Sequence, residues 1–184
     1  MELTGKLLIA MPGIGDPRFE NSVVFLCSHT QDGAMGLLIN KLADGVTLEA
    51  LLDQLEIKIQ DEARLPDVLF GGPVETQRGF VLHSEDYVSN VNSLPVQPGF
   101  SMTATLDVLE DIARGCGPAQ FLVMLGYAGW GPGQLEDEIA QNGWLTADAD
   151  PDMVFGLAAE SKWEAALASI GVSPLSLSMD AGRA

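Results

Sequence analysis

The chain has 184 residues, of which 47% are hydrophobic and 19% charged. It is therefore long enough for one globular domain with a buried core, and too apolar for an intrinsically disordered protein. Nine basic residues stand against 26 acidic ones, a formal net charge of −17 that repels phosphates and anionic lipids and argues against direct binding to nucleic acids or membranes.

The first 55 residues predict a strand, a β-hairpin and a helix. Residues 6–10 form a short apolar strand that a Pro-Gly pair ends. Residues 22–28 and 35–40 are apolar and partly β-branched, and the loop between them contains an Asp-Gly pair, as is typical of a hairpin. Leucines at helical spacing predict a helix over residues 48–55, with Thr47 as its cap.

The middle of the chain predicts two more strands and a second helix. Strands are expected at residues 68–70 and 79–83, on either side of a Gly-Gly-Pro-Val turn, and we interpret them as a second hairpin-like pair. The helix is expected from about residue 106 to 114, with Thr105 as its cap and Gly115 as its end.

The last third predicts a buried central strand over residues 121–127 and two helices, at about 133–142 and 163–170. Strands and helices are interspersed, and two strand pairs have the character of hairpins. The sequence therefore predicts an α+β fold with one domain over residues 1–184: a mixed, largely antiparallel curved sheet with about four helices packed around it.

A glycine-rich loop after the central strand is the most informative stretch for function. Tyr127 and Trp130 lie among four glycines in residues 126–133. The loop lacks a complete GxGxxG pattern and the Lys-Ser/Thr pair of a P-loop, and acidic residues follow it, so phosphate binding is not expected. Two interpretations stay open: the rings cover the end of the sheet, or they form a recognition surface for a ligand or partner.

The two histidines, His29 and His83, each end a predicted strand. If the strand stays extended, the side chains of Cys27 and His29 share a face. With Glu85 nearby, these groups could ligate a metal or form a nucleophile–base pair, but no short-spaced motif supports either, and a hydrogen-bonded structural histidine is the favoured interpretation. The acidic run at residues 136–138 is interpreted as a solvated helix face.

The cysteines and the lengths of the apolar stretches predict the cellular compartment. The two cysteines lack the short spacing of zinc or redox motifs, which favours a reducing compartment. No apolar stretch approaches the roughly 20 residues that cross a bilayer, and residues 7–11 are too few for the core of a signal peptide. We expect a cytoplasmic protein with no cofactor and no metal.

Long motifs over nearly the whole chain resemble one bacterial family, the AlgH/YqgE-like proteins. They are GKLLIAMP at 5–12, DPRFE at 16–20, SVV at 22–24, DGAMGLLINK at 32–41, GGPV at 71–74, RGFVLH at 78–83, GYAGWGPGQLE at 126–136 and GRA at 182–184. Leu42 departs from the pattern, because the family usually has proline after the Asn-Lys pair.

The resemblance implies an α+β fold of one domain, a cytosolic location and no established biochemical activity. The family's label as a transcriptional regulator comes from genetic effects on exopolysaccharide expression and implies no DNA-binding motif. Since the family has no agreed catalytic set, we expect only that its polar, aromatic and glycine motif positions gather if a shared site exists. These are His29, Asn40, Gly71, Gly72, His83, Tyr127, Trp130, Gln134 and Glu136.

The leading hypothesis is a non-enzymatic binding or regulatory module. It recognises a small molecule or a protein partner through the Tyr127–Trp130 surface, with at most an indirect effect on transcription. The alternative is a hydrolase or transferase that uses His29 and His83. A direct DNA-binding regulator is the third hypothesis, which the net charge disfavours.

Overall fold

The structure is a computed structural model that describes residues 1–180, so the predicted motif at 182–184 lies outside the described residues. The strands are β1 Lys6–Ala10, β2 Val23–Thr30, β3 Gly33–Leu38, β4 Val68–Phe70, β5 Val74–His83, β6 Leu94–Gln97, β7 Phe100–Thr103, β8 Phe121–Trp130 and β9 Trp144–Asp148. The helices are α1 Leu48–Gln54, α2 Leu106–Ala113, α3 Gln134–Ala140, α4 Pro151–Gly156, α5 Lys162–Ser169 and α6 Pro174–Asp180. None of these helices combines the length and apolarity that spanning a bilayer requires.

The nine strands of residues 1–180 belong to one mixed, largely antiparallel sheet. The order is β6-β7-β5-β8-β3-β2-β1-β9, and β4 runs parallel to β8 beside this path. The sheet is curled: Phe25 on β2 and Phe100 on β7, four strands apart in the order, bring their ring centroids within 4.9 Å. Their face of the sheet is therefore concave, and α4 and α5 pack onto it.

β8 joins the two halves of the sheet, and its side-chain alternation shifts at Gly126. This glycine has φ 76°, a left-handed conformation that favours glycine. Met124 before it and Tyr127 after it both pack on the concave face. Ala128 and Trp130 pack on the convex face, against α3. The residues predicted as a glycine-rich loop thus continue β8 up to Trp130, and the Tyr127 and Trp130 side chains lie on opposite faces of the sheet.

The two residues that follow β4, Gly71 and Gly72, lie so close to the backbone of β8 that no side chain fits there. A Cβ atom on Gly72 would lie 2.0 Å from the carbonyl carbon of Tyr127, and one on Gly71 would lie 2.3 Å from the carbonyl oxygen of Gly126. The backbone N–H and carbonyl of Gly71 bond to β8 and to the end of β3. These two glycines therefore have a structural role in joining the strands.

The convex face is covered in two parts. Under α3 lies a cluster that contains Trp130, Leu135 and Trp144, and under α1 and α2 lies a second cluster that includes Leu52 and Ile112. Each strand that crosses the middle of the sheet is thus buried on both faces.

The fold class predicted from the sequence is confirmed, and so are β1, the β2–β3 hairpin and α1, whose cap Thr47 accepts a hydrogen bond from Ala50 N–H. The second predicted hairpin is wrong, because β4 and β5 both pair with β8 and not with each other. Strands β6, β7 and β9 and the short helices α4 and α6 were not predicted.

Candidate functional site

A groove of about 830 Å³ lies at the Trp130 end of β8, on the convex side. Its walls come from the loop after β1, the end of β8, α3 and the turn between α3 and β9. We call it the indole groove; among the residues that line it are Ile14, Asp16, Arg18, Phe19, Trp130, Gln134, Glu138, Gln141 and Trp144.

The carboxylate of Glu138 is held at the wall of this groove by two indoles. Its Oε2 accepts hydrogen bonds from Nε1 of Trp130 at 2.9 Å and from Nε1 of Trp144 at 2.8 Å. Its Oε1 accepts one from Nε2 of Gln134 at 3.0 Å. The two indole rings meet edge to face, with centroids 6.0 Å apart. Two N–H donors from buried indoles and one from the exposed Gln134 thus fix the orientation of one negative group.

The start of α3 explains why Glu138 arrives at this position. Gly133 precedes the helix in a left-handed conformation, φ 74°, and the side-chain oxygen of Gln134 accepts a hydrogen bond from Gly131 N–H at 3.0 Å. Leu135 is fully buried and anchors the helix on the sheet. Because positions 134 and 138 lie one turn apart on the same helix face, both side chains reach the groove.

Among the described residues that line the indole groove, Arg18 is the one cation, and Asp16 holds it. The shortest contact joins Nη2 of Arg18 to Oδ2 of Asp16 at 2.7 Å. The side-chain hydrogen bond from Arg18 is the main cause that lowers the pKa of Asp16 below its ordinary value, so the pair stays ionised. The two charges compensate each other, and Glu138 carries the remaining charge among the described residues of the groove.

His29 connects β2, α3 and the N-terminal segment. Its Nδ1 accepts a hydrogen bond from Leu3 N–H at 3.2 Å, so a neutral ring carries its proton on Nε2, which donates to Oε1 of Glu136 at 2.7 Å. Hydrogen bonds from the backbone N–H of Glu136 itself and then from His29 lower the pKa of Glu136. Both ring nitrogens are engaged, which gives His29 a structural role.

Cys27 and His29 do not share a face of the sheet. The β2–β3 register shifts between Leu26 and Ser28, and this bulge reverses the alternation. Cys27 packs in the concave cluster, whereas His29 contacts α3 on the convex side. The prediction of a shared face is therefore wrong. Burial raises the pKa of the Cys27 thiol to about 12, which makes it a poor nucleophile.

His83 lies far from His29. It pairs with Phe121 at the start of β8, whereas His29 pairs with Ala34, which in turn pairs with Trp130 at the end of β8. Positions 121 and 130 are nine residues apart, which is roughly 30 Å along an extended strand. The two imidazoles therefore do not form one reaction centre.

The ring of His83 is fully buried and neutral. Its Nδ1–H donates to the carbonyl oxygen of Ser84 at 2.8 Å, and its Nε2 accepts from the hydroxyl of Thr103 at 2.8 Å. Burial is the main cause that lowers its pKa. Like His29, it has no ring nitrogen free.

Asn40 and Tyr127 also lie outside the indole groove. The Asn40 side chain accepts from Val23 N–H and donates to the carbonyl oxygen of Asn21, each at 2.8 Å, and so holds the start of β2. The Tyr127 ring packs edge to face on Phe80, with centroids 5.7 Å apart. Tyr127 does line a shallower groove of about 620 Å³, together with Trp130.

The nine positions predicted to gather thus fall into separate places. Trp130 and Gln134 meet in the indole groove, and Glu136, on the same helix as Gln134, bonds to His29 of β2. Asn40, Gly71, Gly72, His83 and Tyr127 serve other parts of the sheet.

Glu138 and Trp144 are site residues that the predicted set lacked. The interpretation of residues 136–138 as a solvated face fits Glu136, whose side chain is 44% exposed although it bonds to His29. It is wrong for Glu138, whose carboxylate bonds to the two indoles. A usable signal was present, because buried tryptophans need an acceptor for their N–H and Glu138 lies between the two indoles in sequence. Within residues 1–180, no three His, Cys, Asp or Glu side chains cluster in a way that could hold a metal ion.

Solved structures of two other proteins have a similar fold. The solution structure of the AlgH protein from Pseudomonas aeruginosa matches with a TM-score of 0.78 and 41% identity, covering 100% of this chain and 95% of that one. The crystal structure of a protein from Corynebacterium diphtheriae matches with a TM-score of 0.74 at 20% identity, covering 97% and 91%. The second likeness shows the fold alone.

Sequence relatives identify the family. A UPF0301 protein from Ruegeria pomeroyi is 64% identical over 186 residues, covering both chains completely. A UPF0301 protein from a Jannaschia species is 55% identical over 184 residues, covering 100% of this chain and 96% of the relative. The profile of the family DUF179, described as AlgH-like, matches residues 7–175. The chain belongs to this AlgH-like family, as its motifs predicted.

Proposed function

We propose that this AlgH-like protein is a non-enzymatic binding module that holds an uncharged or cationic small molecule in the indole groove. The observation that carries the proposal is the carboxylate of Glu138, which Trp130 and Trp144 fix at the wall of a groove of about 830 Å³. Ligand sites commonly have volumes of roughly 300–1,000 Å³, with apolar and aromatic walls and a few fixed polar groups.

The charge of the groove favours a neutral or positive ligand. Arg18 is compensated by Asp16, so that Glu138 sets the local sign. The net charge of −17 adds a negative field over the whole surface. An anionic ligand would have to enter against both.

The lining of the groove favours binding over covalent chemistry. Its described residues include no Ser, Thr, Cys, Lys or His side chain that could act as a nucleophile. Outside the groove, His29 and His83 have both ring nitrogens engaged and lie at opposite ends of β8. The hydrolase or transferase hypothesis therefore has no geometric support.

We also propose a cytoplasmic location and, where transcription is affected, an indirect effect through the ligand or a protein partner. Both cysteines are free, which fits a reducing compartment. Direct DNA binding is testable by a mobility-shift titration with duplex DNA at low ionic strength, where phosphate contacts are strongest. We expect no shift, and a shift that salt abolishes would instead support a DNA-binding regulator.

Filling the groove tests the binding proposal. Gln141 is exposed, lines the groove and follows the last residue of α3, so Gln141→Trp places a bulky ring in the groove. Wild-type and variant protein would be purified from the native host, and small molecules released from each would be quantified by mass spectrometry. We expect one compound to be retained by the wild type and at least about tenfold less of it by the variant, since a filled site excludes its ligand.

Gln54→Trp is the matched control, because Gln54 is likewise exposed at the end of a short helix, α1, away from the groove. It should retain the compound like the wild type. Equal retention by all three proteins, or no enriched compound in any of them, would contradict the proposal.

A further inference from the structure

The loop between β5 and β6, residues 84–93, turns valines outward and a serine inward. Val88 is 74% exposed and Val91 is 69% exposed, whereas Ser89 between them is only 7% exposed. Exposed loops usually show the opposite distribution, with polar side chains in water and aliphatic ones buried. The outward orientation of Val88 and Val91 leaves both side chains available for contact with another molecule.

Hydrogen bonds hold this loop in one conformation. The Ser89 hydroxyl accepts from the backbone N–H groups of Val91 and Asn92, each at 3.1 Å, and donates to Oδ2 of Asp107 at 2.5 Å. Asp107 also accepts from Asn90 N–H at 3.0 Å. Because the loop is already ordered, covering its valines costs little additional conformational entropy.

Two more exposed aliphatic side chains border the loop. Leu106 is 48% exposed and directly precedes Asp107, which binds the loop. Leu94 is 41% exposed and follows Ser93, whose hydroxyl bonds to Thr103 at 2.7 Å. We call these four aliphatic residues the valine patch; they are Val88, Val91, Leu94 and Leu106.

Acidic side chains accompany the valine patch in the loop and on α2, and Arg114, directly after α2, pairs with Asp111 at 3.7 Å. Residues 79–113 contain no Lys or Arg and five acidic residues, which are Glu85, Asp86, Asp107, Glu110 and Asp111. Glu110 lies one helical turn after Leu106, on the same face of α2. Burial alone would raise the pKa of Asp107, but hydrogen bonds from Ser89 and Thr105 lower it, so this carboxylate stays charged.

We propose that the valine patch is a docking surface for a basic segment of a protein partner. Apolar side chains of that segment would cover Val88 and Val91, and its Lys or Arg side chains would face the carboxylates of Asp107 and Glu110 on α2. A second copy of this chain does not fit, since it would bring the same charge of −17 to the contact. The surface differs from the indole groove, and the proposal does not depend on a ligand there.

The test uses a synthetic amphipathic peptide of Leu and Lys as the probe, with fluorescence anisotropy at low and physiological salt. A peptide of the same composition, shuffled so that it has no apolar face, measures attraction by charge alone. We expect the amphipathic peptide to bind more tightly than the shuffled one. The variant Val88→Ser/Val91→Ser should weaken its binding by about tenfold, because two apolar contacts are lost.

Leu42→Ser is the matched control, as Leu42 is 55% exposed and belongs to a different surface. It should bind the peptide like the wild type. Backbone NMR shifts on titration should concentrate at residues 86–94 and 105–111, a readout that needs no variant. The proposal is overturned if the wild type does not bind at low salt, if the shuffled peptide binds equally, or if Leu42→Ser loses as much affinity as the double variant.

Discussion

A histidine lies beside each end of β8, and the two histidines have different structural roles. At the Phe121 end, His83 has no solvent exposure and is bonded to a hydroxyl and a carbonyl, so burial keeps the ring neutral. At the Trp130 end, His29 bonds to the carboxylate of Glu136, whose side chain is 44% exposed. The first arrangement contributes to a buried core, and the second fastens a helix that forms a groove.

This difference shows that a histidine beside a polar group is insufficient evidence for catalysis. In both places each ring nitrogen already has a partner, and neither ring lines the indole groove. Between the two ends lies Gly126, which has a left-handed conformation and closely approaches the backbone of Gly72. Before Gly126 the strand pairs with residues 79–83 of β5, and after it the strand pairs with β3.

The largest predicted effect is on stability, and it comes from a substitution at the close contact between Gly72 and β8. Gly72→Ala places a Cβ atom 2.0 Å from the carbonyl carbon of Tyr127, a clash with backbone that rotamer changes cannot relieve. We expect a loss of more than about 4 kcal/mol in the free energy of unfolding, or failure to fold. Gly129→Ala is the control, because its Cβ would lie 3.5 Å from the Tyr127 ring, an ordinary contact. Chemical unfolding of both variants measures the difference, and similar stabilities would contradict this account.

A buried lysine extends the comparison to the concave face. Lys162, at the start of α5, is 2% exposed, and its Nζ donates to the carbonyl oxygen of Ile39 at 2.8 Å. Burial lowers its pKa to about 8. Between about pH 8 and the ordinary lysine pKa, the unfolded chain therefore binds more protons than the folded chain. The free energy of unfolding should rise with pH over this range. The rise is on the order of 2 to 3 kcal/mol between about pH 7 and pH 10.

Lys162→Met should lack that rise, and the exposed Lys58→Met should keep it. Urea unfolding at several pH values provides the measurement. An unchanged pH profile in Lys162→Met would show that this lysine is not responsible.

The smallest predicted effect compares the two histidines directly. His83→Gln should lower the free energy of unfolding by about 1 to 2 kcal/mol, since it disturbs a buried hydrogen-bond pair. His29→Gln should cost about 1 kcal/mol or less, because its carboxylate partner remains in contact with water. Thermal or urea unfolding at pH 7 would rank the two, and the reverse order would contradict the assignment.

The pH dependence gives the comparison a second readout. The pKa of His83 is lowered in the folded state, so the unfolded chain takes up its proton first as the pH falls below the ordinary histidine value of about 6.5. Stability should therefore decrease from pH 7 towards pH 5, and His83→Gln should show a smaller decrease. A decrease of the same size in the variant would assign it to other groups.

Periodicity and turn residues were sufficient for the local elements. The leucine spacing of α1, the Asp-Gly turn of the β2–β3 hairpin and the apolar run of β8 each produced an element where it was expected. The second hairpin was wrong because a Gly-Gly turn predicts a reversal without saying which strand becomes the neighbour. β9 pairs with β1, which lies more than a hundred residues earlier in the chain, and no pattern of neighbouring residues predicts that pairing.

The sequence by itself determined the family, the α+β class and the acidic character, because long motifs, periodicity and composition are properties of neighbouring residues. Only the tertiary structure decided which side chains meet. A bulge in β2 and the left-handed conformation of Gly126 reverse the alternation of side chains, which sends His29 and Trp130 towards α3 and leaves Tyr127 on the other face. Such one-residue irregularities change the face of every residue that follows, and they arise from pairing with distant strands.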